Sequence, residues 1–284
     1  KGAEQEGVNI IKTLNRTLKQ DRERFTLPKN VQDIIPVQSV YPDGIFQTGK
    51  NKFSKTFRFE DINYYVASAE DKKAMFLGYS EILNALYSTA VTKLTINNRR
   101  LNRADFKRKV LIGMKGDDLD VYRKEYDDML SGKAADANSI VQEKYITITV
   151  TRKDIEEARI YFRRAGAELM AHFSQMGSDC IELDPKEHLR IIYDFYRAGE
   201  ETSFHFDFKD RMRKGHDFRD YICPDCFENE RDHFRIGDRY GRVLFLKDYA
   251  SFIKDSMVAD LTELDRDMML SIDIIPVPTD EAVK

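Results

Sequence analysis

A chain of 284 residues that is 42% hydrophobic, with 18 Phe and 14 Tyr, has the apolar mass for a packed core, which excludes a disordered tail. Its 46 cations against 49 acids leave a net charge of -3, so there is no global basic excess of the kind that marks a nucleic-acid binder. Three Cys are too few for a disulfide framework, no apolar run approaches the roughly 18–20 residues that span a bilayer, and the first residues lack the apolar centre of a secretory signal, so the expected compartment is cytoplasmic.

Residues 1–34 form a basic, amphipathic opening segment. Val8, Ile11, Leu14 and Leu18 recur at helical spacing among Lys12, Arg16, Lys19, Arg22 and Arg24. Such a segment lies on a membrane surface, in a partner's groove, or against its own domain or a neighbouring copy. From Ile35 the pattern changes. Ser39–Thr48 and Phe53–Phe59 are rich in β-formers and flank Gly49-Lys50-Asn51-Lys52, which predicts a hairpin. Glu70–Tyr87 predicts a helix with Phe76, Tyr79, Leu83 and Leu86 on one face. Val91–Asn97 predicts a strand, and 102–133 predicts two helices broken near Gly113–Asp117. Glu143–Thr151 alternates strictly, Tyr145, Thr147 and Thr149 opposite Ile146, Ile148 and Val150, and predicts a long strand.

The clearest helix follows. Thr151 and Asp154 have capping-box spacing, and Ile155, Ala158, Phe162, Ala165, Leu169 and Met176 form a stripe that includes His172. The order ββαβααβα predicts an α+β fold: a mixed, mainly antiparallel sheet packed with helices, with one long helix over 153–176. Beyond it, Asp184–Tyr196 predicts a helix, 199–232 is irregular and polar, and Phe234–Asp248 predicts two strands around Gly237–Gly241. Ser251–Leu264 predicts a helix and Met269–Val277 a final strand. We read residues 35–284 as one α+β domain, with a subdomain boundary allowed near residue 200.

Few residues point to chemistry. Gly44-Ile-Phe-Gln-Thr-Gly49-Lys50-Asn51 approaches the phosphate-binding pattern G-x-x-x-x-G-K-[ST], but Asn51 replaces the magnesium-ligating hydroxyl. The true loop also opens a helix whose amides hold the phosphates, whereas 52–59 reads as a strand. Cys223-Pro-Asp-Cys226, with His216 and His233 on either side, offers two thiolates and two imidazoles, a donor set suited to tetrahedral zinc, or a redox pair. The flanking spacing is not that of a zinc module, and a lone C-x-x-C is weak. The carboxylate pairs Asp117-Asp118, Asp127-Asp128 and Asp265/Asp267 fit a solvated face, since adjacent helical residues point about 100° apart. Arg99, Arg100, Arg211, Arg213 and Lys214 are candidates for contact with single-stranded DNA, although Asp207, Asp210 and Asp217 are close enough in sequence to pair with the second group. His172, His188 and His205 lack an accompanying nucleophile motif.

An ordered set of segments carries a resemblance. Tyr41-Pro-Asp-Gly44 through Phe53-Ser-Lys-Thr-Phe57-Arg-Phe-Glu-Asp-Ile-Asn63-Tyr64, then Leu94-Thr-Ile-Asn-Asn98-Arg99 and Gly116-Asp-Asp-Leu-Asp-Val-Tyr122-Arg-Lys-Glu-Tyr126, are similar to the opening of the Firmicutes-type conjugal-transfer ATPases of type IV secretion systems. Phe234-Arg-Ile-Gly237 through Leu246-Lys-Asp248, Leu261-Thr-Glu-Leu264 and Ser271-Ile-Asp-Ile-Ile-Pro276 extend it, over roughly 35–278. The resemblance implies an N-terminal α/β module, with a RecA-like ATPase half beyond Lys284 that binds ATP and magnesium. It implies docking to inner-membrane components of the secretion channel, assembly with other copies of itself, and a peripheral location at the inner face of the bacterial cell membrane. None of the family's catalytic residues falls in this chain, so no catalytic or cofactor-binding residue is expected. The Cys pair is no part of the family's pattern. A zinc-stabilised module using Cys223, Cys226, His216 and His233, and a single-stranded DNA-binding module, are the alternatives.

Overall fold

The computed structural model describes residues 28–62, 64, 66–85, 90–100, 110–136, 140–209, 215–246 and 256–276. The predicted opening helix and the first of the two helices predicted over 102–133 lie outside them.

Three strands open the fold as an antiparallel meander: β1 (Ser39–Val40), β2 (Ile45–Gly49) and β3 (Lys52–Phe59). The single strand expected over 39–48 is split because Tyr41–Gly44 closes a turn. Gly44 has φ +77°, its N–H donates to Tyr41 O at 3.1 Å, and a Cβ there would sit 2.6 Å from Leu183 O. Only glycine meets both demands. Lys50 and Asn51 then reverse the chain, with Asn51 at φ 58°, a conformation that Asn tolerates better than most residues.

Helix α1 (Ala69–Ala85) starts at Ser68, whose Oγ accepts from Asp71 N at 3.2 Å. The face expected to be buried is not the one used: Ile82 is buried, whereas Phe76 is 67% exposed. Apolar residues occur on both sides of α1, and Gly78 is what lets it lie against Met176, 3.0 Å from a Cβ placed there. Strand β4 (Ala90–Arg100), helix α2 (Asp120–Asp136) and strand β5 (Ile140–Thr151) follow. Helix α3 (Ile155–Gln175) is capped by Asp154, whose side chain accepts from Glu157 N at 3.0 Å; Thr151 instead ends β5. After β6 (Cys180–Glu182), helix α4 (Pro185–Tyr196) begins with Asp184 accepting from Glu187 N at 2.7 Å and Pro185 in the first turn. The remaining elements are β7 (Phe227–Asn229), β8 (Phe234–Ile236), β9 (Arg239–Gly241), α5 (Ser256–Thr262) and β10 (Met268–Ile274).

The result is an α+β fold. The main sheet has the order β1-β2-β3-β5-β4-β10, with β6 taking over the edge of β3 where β2 ends; every pairing is antiparallel. β4 and β5 share eleven residue pairs, from Ala90↔Val150 to Arg100↔Ile140. β7, β8 and β9 form a separate small sheet.

Strand alternation divides the core. Phe53, Phe57, Ile146, Ile148 and Val150 face α3 and pack on Ala158, Phe162, Leu169 and Phe173. Burying each such large side chain contributes about 1.5–3 kcal/mol relative to exposure. Gly166 brings α3 close: a Cβ there would be 2.8 Å from Glu182 Oε1 and 3.1 Å from the Phe57 ring. Phe46, next to Ile45 but on the opposite face, joins a second cluster with Ile35, Val40, Leu189 and Tyr193. Phe206, Phe218 and Ile222 complete it, so the stretch read as irregular and polar supplies three buried apolar side chains, and the cluster runs across residue 200.

Candidate interaction site

The residues with a chemical motif are committed elsewhere. The Gly44–Asn51 stretch is a strand between two turns, and β3 follows it, so no helix start faces the glycines. Lys50 sits at the tip of that hairpin, and Lys55 instead runs under α3 to Glu182 Oε2 at 2.6 Å.

The zinc candidates do not converge. His216 Nδ1 lies 3.6 Å from Asp220 Oδ2, His233 Nδ1 lies 2.9 Å from Asp232 Oδ1, and Cys226 Sγ donates toward Glu228 Oε1 at 3.8 Å. Among the described residues no group of three or more His, Cys, Asp or Glu is placed to hold a metal ion. Burial pushes the Cys223 thiol up, away from the thiolate that metal ligation and redox chemistry use. Burial and Glu182 push Cys180 further, up to about 12.

Of the DNA candidates, Arg99 is half-buried on the sheet, its Nε 3.2 Å from Glu143 Oε2, and Tyr145 Oη donates to the same oxygen at 3.0 Å. Burial lowers the Arg99 pKa, but the charge and hydrogen bond of Glu143 outweigh it and the group is held above its ordinary value. That guanidinium is used internally. The Arg100 backbone N–H donates to Asp267 Oδ1 at 2.7 Å. Arg211, Arg213 and Lys214 lie outside the described residues.

The carboxylate pairs are structural. Asp127 is buried and accepts from Ile112 N at 2.9 Å, while its neighbour Asp128 is exposed. Asp120 accepts from Lys115 N and Gly116 N, and Arg123 binds both Asp117 and Asp120, which lowers both carboxyls. His172 is half-buried on α3 and His205 exposed. His188 is half-buried with its ring stacked on Phe46 at 4.1 Å, and desolvation pushes its pKa down to about 4. It is a neutral packing group.

What remains is apolar surface that the fold leaves facing water. The chain leaves β4 at Arg100 and re-enters at Ile140, directly opposite, so the described residues between, 110–136, belong to an arm that starts and ends at the end of one ladder. Within the arm, residues 110–116 fold back on α2 through the Asp127 and Asp120 contacts. Beyond them, α2 makes no substantial packing contact with another described element. Leu119, Tyr122, Tyr126 and Met129 nevertheless recur at steps of three, four and three residues and are 56%, 69%, 48% and 45% exposed. A seam of this spacing is what a partner helix packs against. A second apolar surface, Val243–Leu246, follows β9, with Phe245 81% exposed, beside a shallow depression lined by His233, Tyr240, Gly241 and Arg242.

No protein-family model matches the chain, and no curated protein matches it.

Sequence reasoning missed both surfaces as sites. The signal for the first was present: the 3-4-3 spacing from Leu119 to Met129 is the pattern that identified α3, but apolar spacing does not say whether the face it makes is covered by this chain. The four residues at 243–246 have no periodicity to read. Among the described residues, no helix is long and apolar enough to cross a membrane.

Proposed function

We propose that this chain is the non-catalytic N-terminal module of a type IV secretion or conjugative-transfer ATPase, and that it docks the motor to inner-membrane channel components and to neighbouring subunits. One observation carries this reading: besides the two cores that the fold buries, two apolar surfaces, the α2 seam and Val243–Leu246, are held out to solvent. Exposed patches of this kind mark contact sites, and two of them suit a protein that contacts both a membrane component and its own copies. The resemblance of the ordered segments supplies the identity of the assembly. The placement of Gly44–Asn51 in a hairpin supports a role without nucleotide chemistry.

The test is retention of the purified chain on inner-membrane vesicles from cells that express the channel genes. Retention should exceed that on vesicles lacking those genes, and Leu244→Glu with Phe245→Glu should reduce it at least tenfold without altering the melting curve. Equal retention on both vesicle types, or ATP turnover that Lys50→Ala abolishes, would overturn the reading.

A further inference from the structure

The α2 seam has a specific occupant. We propose that it receives residues 8–24 of a second copy of this chain; the assignment rests on reading the arm as a docking surface and names what docks there.

Three observations converge. The first is shape. Val8, Ile11, Leu14 and Leu18 span ten residues, as do Leu119, Tyr122, Tyr126 and Met129, so as helices the two stripes match at about 15 Å. Ile11, Leu14 and Leu18 also repeat the three-then-four step that lets two helices interlock along a seam.

The second is charge. Residues 8–24 carry five cations against two acids, whereas 110–136 carry seven acids against four cations. The imbalances are equal and opposite, +3 against -3. Opposite charges beside an apolar seam set partner choice, and like charges there reject a wrong one. This condition disfavours α2 pairing with another α2.

The third is attachment, which favours the segment of another copy over the chain's own. Ser39 pairs with Gln47 and Val40 with Phe46, so the chain enters β1 from the end of the sheet that carries the Lys50–Asn51 turn. Gln47 lies level with Phe53 and Val150, while the arm is rooted at Ile140, about 34 Å away along β5. Residues 28–38 cannot extend to cover that distance. They are held by the Val31–Ile34 turn, by Ile35 and Val37 in the second cluster, and by Arg219 Nε donating to Val37 O at 3.1 Å. Residues 19–27 connect them to the stripe. The segment is therefore rooted at the end of the sheet away from its own arm, and the seam it fills is assigned to a neighbour. Such a contact is heterologous, and repeated copy to copy it closes a ring or runs on as a filament.

The test is sedimentation equilibrium of the full chain and three variants, with circular dichroism melts to establish that each is folded. Leu14→Glu alters the inserted stripe and Tyr122→Glu the seam; Val121→Glu, on the same helix and 72% exposed but off the seam, is the control. Each of the first two should weaken self-association at least tenfold, and the control less than twofold. Leu14→Glu keeps an intact seam and Tyr122→Glu an intact stripe, so mixing the two should restore association as a one-to-one pair. Raising the salt should weaken wild-type assembly. A wild-type chain that stays monomeric to about 100 µM, or a mixture that does not pair, would overturn the proposal. Weakening by Tyr122→Glu alone would also overturn it, yet would leave the arm a docking surface for a different partner and the functional reading intact. Indifference to both variants would remove the arm from that reading as well.

Discussion

Helices α2 and α3 carry the same apolar arithmetic and meet opposite fates. In α3, Ala158, Phe162, Ala165 and Leu169 recur by four, three and four residues and are buried against the sheet. In α2, Leu119, Tyr122, Tyr126 and Met129 recur by three, four and three and face water. Position and composition both separate them: α3 returns across the sheet with Gly166 allowing close approach, whereas the more densely charged α2 stands on an arm that leaves the sheet at its end. An amphipathic stripe therefore states that a helix will be covered, and the topology states whether its own chain does the covering.

The comparison can be broken most forcefully at Phe162. Phe162→Ala should cost about 3–5 kcal/mol of unfolding free energy in urea titration, because the cavity opens between α3 and the sheet where little can collapse into it. A loss below about 1 kcal/mol would mean that α3 is not packed as described.

A second probe lies on the opposite face of the sheet, at His188. The folded chain holds it neutral, with its pKa depressed to about 4 from an ordinary 6.5. Between these values the unfolded chain binds a proton that the folded chain refuses, so stability should fall as the pH drops through this window. Between pH 7 and pH 5 the loss from this group is about 2 kcal/mol, and His188→Leu should remove that part of the pH dependence. Parallel pH profiles for the two proteins would argue that the ring is not desolvated against Phe46.

Gly166→Ala tests the closeness of α3 directly. Helix propensity alone favours Ala by about 1 kcal/mol. The Phe57 ring, fully buried 3.1 Å from the new carbon, should reverse the sign and leave a net loss of about 1 kcal/mol in the melt. A net gain would show that α3 has room to shift.

The smallest effect belongs to α2. Tyr126→Ala should change stability by less than about 1 kcal/mol, since about half of the side chain is already exposed, at 48%. The same substitution should weaken self-association in sedimentation. That pairing of outcomes, structurally silent and associatively costly, is the signature that α2 is finished by another molecule.

Much of the fold was legible because its periods are clean. The alternation of Tyr145–Val150 and the stripe of Ala158–Leu169 placed β5 and α3, and Asp184 with Pro185 marked the start of α4. The face of α1 was not legible, because Phe76, Leu77 and Tyr79 are exposed and dilute the signal of the buried Ile82. Phe206, Phe218 and Ile222 were not legible as core because the segment carrying them is irregular, and burial without periodicity leaves no pattern in the chain. The motif-bearing residues show a related limit of spacing. Spacing along the chain put two Cys and two His close in sequence, but His216 and His233 each turn to an adjacent carboxylate instead.

The bonded pair Arg100↔Ile140 has a consequence for how such a protein changes over time. Because departure and return share one spot, a two-residue Asn-Gly reversal in place of 101–139 would be compatible with the register of the sheet. The cost of closing a longer excursion rises only slowly with its length. The projection is thus separable from the platform: its length can change while the register of the sheet beneath stays as it is.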